Sequence, residues 1–261
     1  MIYVKETLAR LRATPQVDSE PTDEPLFGTR VDVLEQKPGW DFIRTEYGYE
    51  GWCPVSCLAE SDWRPNAMVT RGFTDIQESP RLSTFSLVAV PQGGFVKTVG
   101  GDEDGWTPVE TPDGRRGFVL TRRLDPMPQP LDAQKPEDFR AAVMKTALSY
   151  LGAPYRWGGR TTMGIDCSGL CFQAYWMQGA RIWRDAAVKE GFMLRAIPRE
   201  QAFPGDLIMF PGHVAMLLPE GRFVHSTGAG FAGVMINSLL PDTPGFRGDL
   251  LDSITCFATI F

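Results

Sequence analysis

Long apolar runs are missing from this chain of 261 residues. No stretch approaches the roughly 18 apolar residues that a membrane-spanning helix needs, so no membrane partner is expected. The opening "MIYVKETLARLRATPQ" has neither an apolar core nor a small-residue cleavage site, and does not read as a secretory leader. Blocks of basic charge are missing too. Lys and Arg number 26 against 32 Asp and Glu, a formal charge of -6, and no run of five or more basic residues occurs. Such a surface does not collect polyanions, which excludes nucleic acid as the expected partner. Histidine appears twice, and cysteine five times, at 53, 57, 167, 171 and 256. An odd set with these spacings suits no disulfide framework. "CPVSC" has no second ligand pair, and both histidines lie far from it in sequence, so no metal site and no cofactor are expected. A reducing cytoplasm is the simplest compartment, with a secreted or wall location the alternative if a leader was removed.

What is present divides the chain in three. Hydrophobic residues at 43% and charged residues at 22% describe an ordinary globular composition. Residues 1–125 hold short alternating runs between Gly, Pro and Asp-Gly turns, a pattern that predicts small β-barrels. "GWDFIRTEYGYEGWCPVSCL" (39–58) and "GWTPVETPDGRRGFVLTRRL" (105–124) echo each other about 66 residues apart, which predicts two copies of one barrel, 1–62 and 63–126. The proline-rich stretch around 127–136 reads as a linker. From 137 to 261 the pattern becomes α+β. "PEDFRAAVMKTALSYLG" predicts an amphipathic helix with apolar residues at 139, 143, 147 and 151 and a stop at Gly152. A second helix is predicted from Cys167 to about Gly179, then strands at "DLIMF", "HVAMLL", "RFVHST" and "SITCFATIF".

The chemistry gathers at "GIDCSGL". Asp166 stands at a predicted N-cap and Cys167 in the first helical turn, where unpaired N–H groups and the helix dipole favour a thiolate. The neighbouring glycines would let a substrate backbone come close. Cys171, one turn deeper among apolar residues, reads as a packed cysteine. His213 and His225 fall on strands joined by "PEGR". A hairpin centred on 219 would bring them side by side, as a base and its orienting partner.

"PYRWGG", "GIDCSGL", "RDA", "PGDLIMF" and "GHVAMLL…FVHSTG", in that order, resemble the NlpC-type cysteine peptidases of bacterial cell-wall peptides. With its upstream repeat, the chain resembles the γ-D-glutamyl-L-diamino acid endopeptidases that carry two bacterial SH3-like barrels before a papain-like catalytic domain. The resemblance implies Cys167 as nucleophile, His213 as general base and His225 as the residue orienting it. Tyr155 would help the Cys167 N–H hold the oxyanion. Trp157 would wall the pocket, and Asp166, Ser168 and Asp185 would contact substrate. In the first barrel it implies Tyr49 and Glu20 as substrate contacts, with Glu24 or Asp23 as alternatives to Glu20 because Pro21 and Pro25 alter that loop. Trp183 stands where the family often has a proline before "RD".

The implied activity is hydrolysis of the γ-D-Glu–diamino acid bond in murein stem peptides with a free N-terminal L-Ala, in cell-wall peptide recycling by a monomer. Two other readings remain open: a secreted peptidoglycan hydrolase anchored by its barrels, or a wall-binding module without activity.

Overall fold

Turn residues punctuate the first half so closely that the chain answers with short strands. The computed structural model describes residues 1–261, in two units, Met1–Met127 and Pro128–Phe261. In the first unit, one antiparallel sheet comprises β1 (Ile2–Val4), β2 (Leu11–Arg12), β3 (Pro21–Asp23), β4 (Arg30–Lys37), β5 (Trp40–Thr45), β6 (Glu50–Pro54) and β7 (Leu58–Glu60). Another comprises β8 (Ala67–Val69), β9 (Phe73–Gln77), β10 (Ser86–Pro91), β11 (Phe95–Thr98), β12 (Trp106–Glu110), β13 (Arg116–Leu120) and β14 (Leu124–Pro126). Their spatial orders, β3-β2-β6-β5-β4-β1-β7 and β10-β9-β13-β12-β11-β8-β14, are identical seven strands on. Gly39 and Gly105 take the left-handed conformation, φ +79° and +85°, before the tryptophans that open β5 and β12.

Closed barrels were expected from this pattern, and the sheets are not closed: β3 and β7 are edges of one, β10 and β14 of the other. In the first sheet, β2 has two residues and β3 three, with an irregularity between Leu11 and Arg12, too little ladder to carry the pairing round to β7. Val4, Ala9, Leu11, Val31, Ile43 and Cys53 form this sheet's core. Each fully buried Val, Leu or Ile there contributes about 1.5–3 kcal/mol.

The second unit opens with α1 (Pro136–Leu148). Pro136 at its first position, with Glu137 and Asp138 in the first turn, complements the free N–H groups there. Phe139, Val143 and Ala147 are buried as the spacing predicts, but Leu151 is 47% exposed. The helix has ended by then, at Ser149, and Tyr150 is buried instead. A short hairpin, β15 (Arg160–Thr161) and β16 (Gly164–Ile165), leads into α2 (Cys167–Trp176). From Cys167 to Tyr175 every residue of α2 is buried, so it is a core helix with no solvent face. It packs on β19 (His213–Leu217) and β20 (Arg222–Thr227) of a six-stranded antiparallel sheet. That sheet runs β17 (Arg195–Ile197), β22 (Cys256–Thr259), β18 (Leu207–Phe210), β19, β20, β21 (Gly233–Ser238), and a short α3 spans Gly248–Leu251. β17 and β21 were not predicted. β17 has three residues, and β21, "GVMINS", lacks a clean alternation. No helix is long and apolar enough to cross a membrane.

Candidate active site

Asp166 is the N-cap of α2, and its Oδ1 accepts the Gly169 N–H at 2.5 Å. That cap places Cys167 at the helix start, 6% exposed, with the backbone N–H groups of Val214 and Ser168 donating to its sulfur. Those donors and Arg184 favour the thiolate. Burial, and then the Asp166 charge, outweigh them and push the thiol above its usual value. The helix dipole alone predicts the opposite sign, and the burial of α2 reverses it. The neighbouring glycines serve packing within the protein. A Cβ on Gly169 would lie 2.3 Å from the Gly159 carbonyl oxygen, and one on Gly164 would lie 2.6 Å from Cβ of Arg156.

The histidines meet as expected, through a different register. Met216 pairs with Val224 and Leu217 with Phe223, which centres the hairpin on 220. A turn through Pro219–Gly221, with Glu220 at φ 60°, supplies the extra step. Because side chains alternate with a period of two, the two rings still share a face and meet along the diagonal. His213 Nε2 lies 2.8 Å from His225 Nδ1, and His225 Nε2 lies 2.9 Å from Asn237 Oδ1.

This chain of contacts settles where the protons sit. Asn237 Nδ2 donates to the Gly245 carbonyl at 2.9 Å, so its oxygen faces His225 and can only accept. Neutral His225 therefore carries its proton on Nε2 and accepts on Nδ1. His213 donates from Nε2, which leaves its Nδ1 as a lone-pair base. Val214, the next residue, points its N–H at the Cys167 sulfur. Burial first, then His225 and Arg247, lower the His213 value to about 4. Burial also lowers His225, against the hydrogen bond it donates to Asn237 Oδ1.

A pH dependence follows. The acid limb of kcat/KM is expected near pH 4, well below the ordinary imidazole range of about 6.5, since His213 stays neutral until then. Its folded value lies below the unfolded one, so the unfolded chain binds the proton more readily. Stability therefore falls as pH drops from about 6.5 towards 4. A pH–rate profile with the acid limb at 6.5 would remove His213 as the base.

Tyr155 is half-buried, and burial, followed by the Cys167 and Asp166 charges, pushes its hydroxyl up to about 12. It is a neutral O–H donor at any ordinary pH, electrostatically coupled to the thiol. Ser168 Oγ turns inward, 3.2 Å from Asp166 Oδ1. Trp157 is 57% exposed, and Asp185 is exposed after the buried Arg184. In the first unit, Glu20 is exposed just before β3. Glu24 is fully buried and accepts from Arg10, Asp23 is fully buried and accepts from Tyr47, and Tyr49 packs on the core that includes Cys53. Asn237 and Arg184 are the residues sequence reasoning missed. Asparagine occurs only at 66 and 237, and that scarcity was the available signal for Asn237.

A thiol at a helix start, two hydrogen-bonded imidazoles on adjacent strands and a neutral phenol make up a site able to attack a carbonyl group. Residues 152–242 match the NlpC/P60 family. The chain is 34% identical over 265 residues to a dipeptidyl-peptidase 6 from Lysinibacillus sphaericus, covering 97% of both proteins. It is 30% identical over 235 residues to a gamma-D-glutamyl-L-lysine dipeptidyl-peptidase of Bacillus subtilis strain 168, covering 78% of this chain and 72% of that one. The crystal structure of an NlpC/P60 family protein from Bacillus cereus ATCC 10987 superposes with a TM-score of 0.79 at 21% identity, over 98% of each chain, and shares the fold. This protein belongs to the NlpC/P60 family of peptidoglycan hydrolases.

Proposed function

We propose that the protein is a cysteine endopeptidase that hydrolyses the γ-D-Glu–diamino acid bond of murein stem peptides with a free N-terminal L-Ala. The observation that carries this is the Asn237–His225–His213 chain, which leaves an unprotonated Nδ1 on the strand whose next N–H reaches the Cys167 sulfur. The substrate follows the relatives named for γ-D-glutamyl-L-lysine.

Because burial raises the thiol and lowers the imidazole, the resting pair is neutral thiol and neutral base, not an ion pair. Cys167 gives its proton to His213 Nδ1 as the sulfur attacks the γ-carbonyl carbon. The oxyanion is held by the Cys167 N–H and the Tyr155 hydroxyl. His213 returns the proton to the leaving amine of the diamino acid, and water, deprotonated by the same ring, then releases the γ-glutamyl product and the thiol. His225 keeps its proton on Nε2 throughout and steadies the imidazolium that forms on His213.

We place the enzyme in the cytoplasm, in the recycling of released peptides. A free amine distinguishes these from stems still joined to glycan. Carboxylates, Glu20 among them, are proposed to read that amine, and Tyr49, Trp157 and Asp185 to contact the peptide. The test is mass spectrometry of products from L-Ala-γ-D-Glu-diaminopimelate with a free and an acetylated amine. A lost ammonium partner costs about 2–5 kcal/mol, so acetylation is expected to lower kcat/KM by about 30-fold to several thousand-fold. Glu20→Gln is expected to weaken cleavage of the free peptide and narrow that gap. Equal cleavage of both peptides would end the free-amine reading.

A further inference from the structure

Arg184, 17 residues beyond the cysteine and outside every regular element, is 1% exposed. A guanidinium keeps its charge at every ordinary pH, so its burial demands partners. Its Nη1 donates to Asp166 Oδ1 at 3.0 Å and its Nη2 to Asp166 Oδ2 at 3.1 Å, a two-pronged ion pair. Nη1 also reaches Ser168 Oγ at 2.9 Å, and Nη2 the Gly159 carbonyl at 3.3 Å. Asp166 in turn accepts the Gly158 N–H at 2.8 Å as well as the Gly169 N–H at 2.5 Å. One ion pair thus joins the 158–159 loop, the N-cap and the first turn of α2.

We infer that Arg184 is a positioning residue: it neutralises Asp166 and locks the start of α2, so that the Cys167 sulfur and N–H stay aligned for attack. This rests on the peptidase reading above. Asp166 supplies a strong cap, but its charge lies one residue from the sulfur that must become negative. Arg184 keeps the cap and cancels the charge. A lysine could do the second and not the first, because a point charge cannot span both oxygens and Ser168 together. Five internal donors fill the roughly four lone-pair sites of the Asp166 carboxylate. These contacts let Asp166 hold the nucleophile's turn.

Besides Asp166 and Arg184, the groups facing the thiol are Tyr155, Cys171 one turn along α2, and the strand that carries His213. Arg247 acts on both histidines, and Asp249 on His225. None of these changes in the variants that test the idea: Arg184→Met, Arg184→Lys, Asp166→Asn and the double variant Arg184→Met/Asp166→Asn, all in the full chain. The first readout is the pH midpoint of Cys167 alkylation by iodoacetamide, followed at that residue by mass spectrometry. It needs no peptide substrate. Arg184→Met is expected to raise the midpoint by about one pH unit or more. The double variant should bring it back towards wild type, since asparagine still caps and no charge is left. Arg184→Lys should keep the wild-type midpoint. The second readout is kcat, expected to fall about 100-fold in Arg184→Met with KM changed far less, and to recover only partly in Arg184→Lys.

A folded Arg184→Met chain with the wild-type midpoint and kcat overturns the inference. So does a double variant whose midpoint is no lower than that of Arg184→Met. If Arg184→Met does not fold, Asp166→Asn decides. It leaves the guanidinium unopposed and should lower the midpoint, and an unchanged or raised midpoint overturns the inference. Failure of the peptidase reading looks different: a wild-type chain that alkylates normally at Cys167 and cleaves no peptide.

Discussion

The Cys167→Ala chain is expected to cleave no stem peptide while keeping its fold. Removal of a nucleophile from a site of this kind costs on the order of 10⁶-fold in kcat, because no covalent path remains and the other groups have nothing to activate. The structural cost is small by comparison. Alanine suits a first helical turn, Asp166 still caps Gly169, and only one sulfur atom is lost, so the melting temperature should move by only a few degrees. Product mass spectrometry and thermal melting on the same preparation check the two halves. Wild-type turnover by a folded Cys167→Ala chain would take the nucleophile, and with it the thiol mechanism, off the table.

The His213→Ala chain is expected to lose about 10²–10⁴-fold in kcat, the usual worth of a general base. Two further losses should rank below it. His225→Ala removes the acceptor that orients His213, and water replaces it in part. Asn237→Leu leaves both rings in place and removes only the acceptor that holds the His225 proton on Nε2. The expected order of damage is His213→Ala, then His225→Ala, then Asn237→Leu. Steady-state kinetics at one pH above the thiol range and one near neutrality read it out. Were Asn237→Leu to cost as much as His213→Ala, the proton assignment along the chain would be wrong.

Local signals made much of this legible in advance. The cap–cysteine pair at Asp166 and Cys167, and two histidines on consecutive strands, are patterns that short-range chemistry dictates, and they sit where the sequence placed them. What stayed hidden depends on contacts distant in sequence. Nothing in "WRDAA" shows that Arg184 turns inward onto a carboxylate 18 residues earlier. Asn237 lies on β21, a strand without clean alternation, and its value appears only once its amide is seen between His225 and the Gly245 carbonyl. The hairpin centre missed by one residue, and the pairing therefore by two, because Glu220 takes a left-handed conformation that its identity does not require. The sign of the thiol's shift depends on total burial, a property of the packed domain that no seven-residue motif contains.

The identical strand order of the two N-terminal sheets gives each strand of one a counterpart in the other, and so makes the second sheet an internal control for the first. Where the copies agree, as at Trp40 and Trp106 or Leu58 and Leu124, the shared architecture is reason enough for the residue. Where they differ, it is not. Tyr49 and Glu50 stand opposite Arg115 and Arg116, and Cys53 and Cys57 opposite Val119 and Arg123, at the same offset of 66 positions. A sheet of this order is therefore built without the tyrosine, the acid or either thiol. Transplanting residues from the later copy into the earlier one, position by position, offers a set of substitutions already tolerated by the same scaffold. A loss of activity in a variant that keeps the wild-type melting temperature would report on chemistry and not on folding.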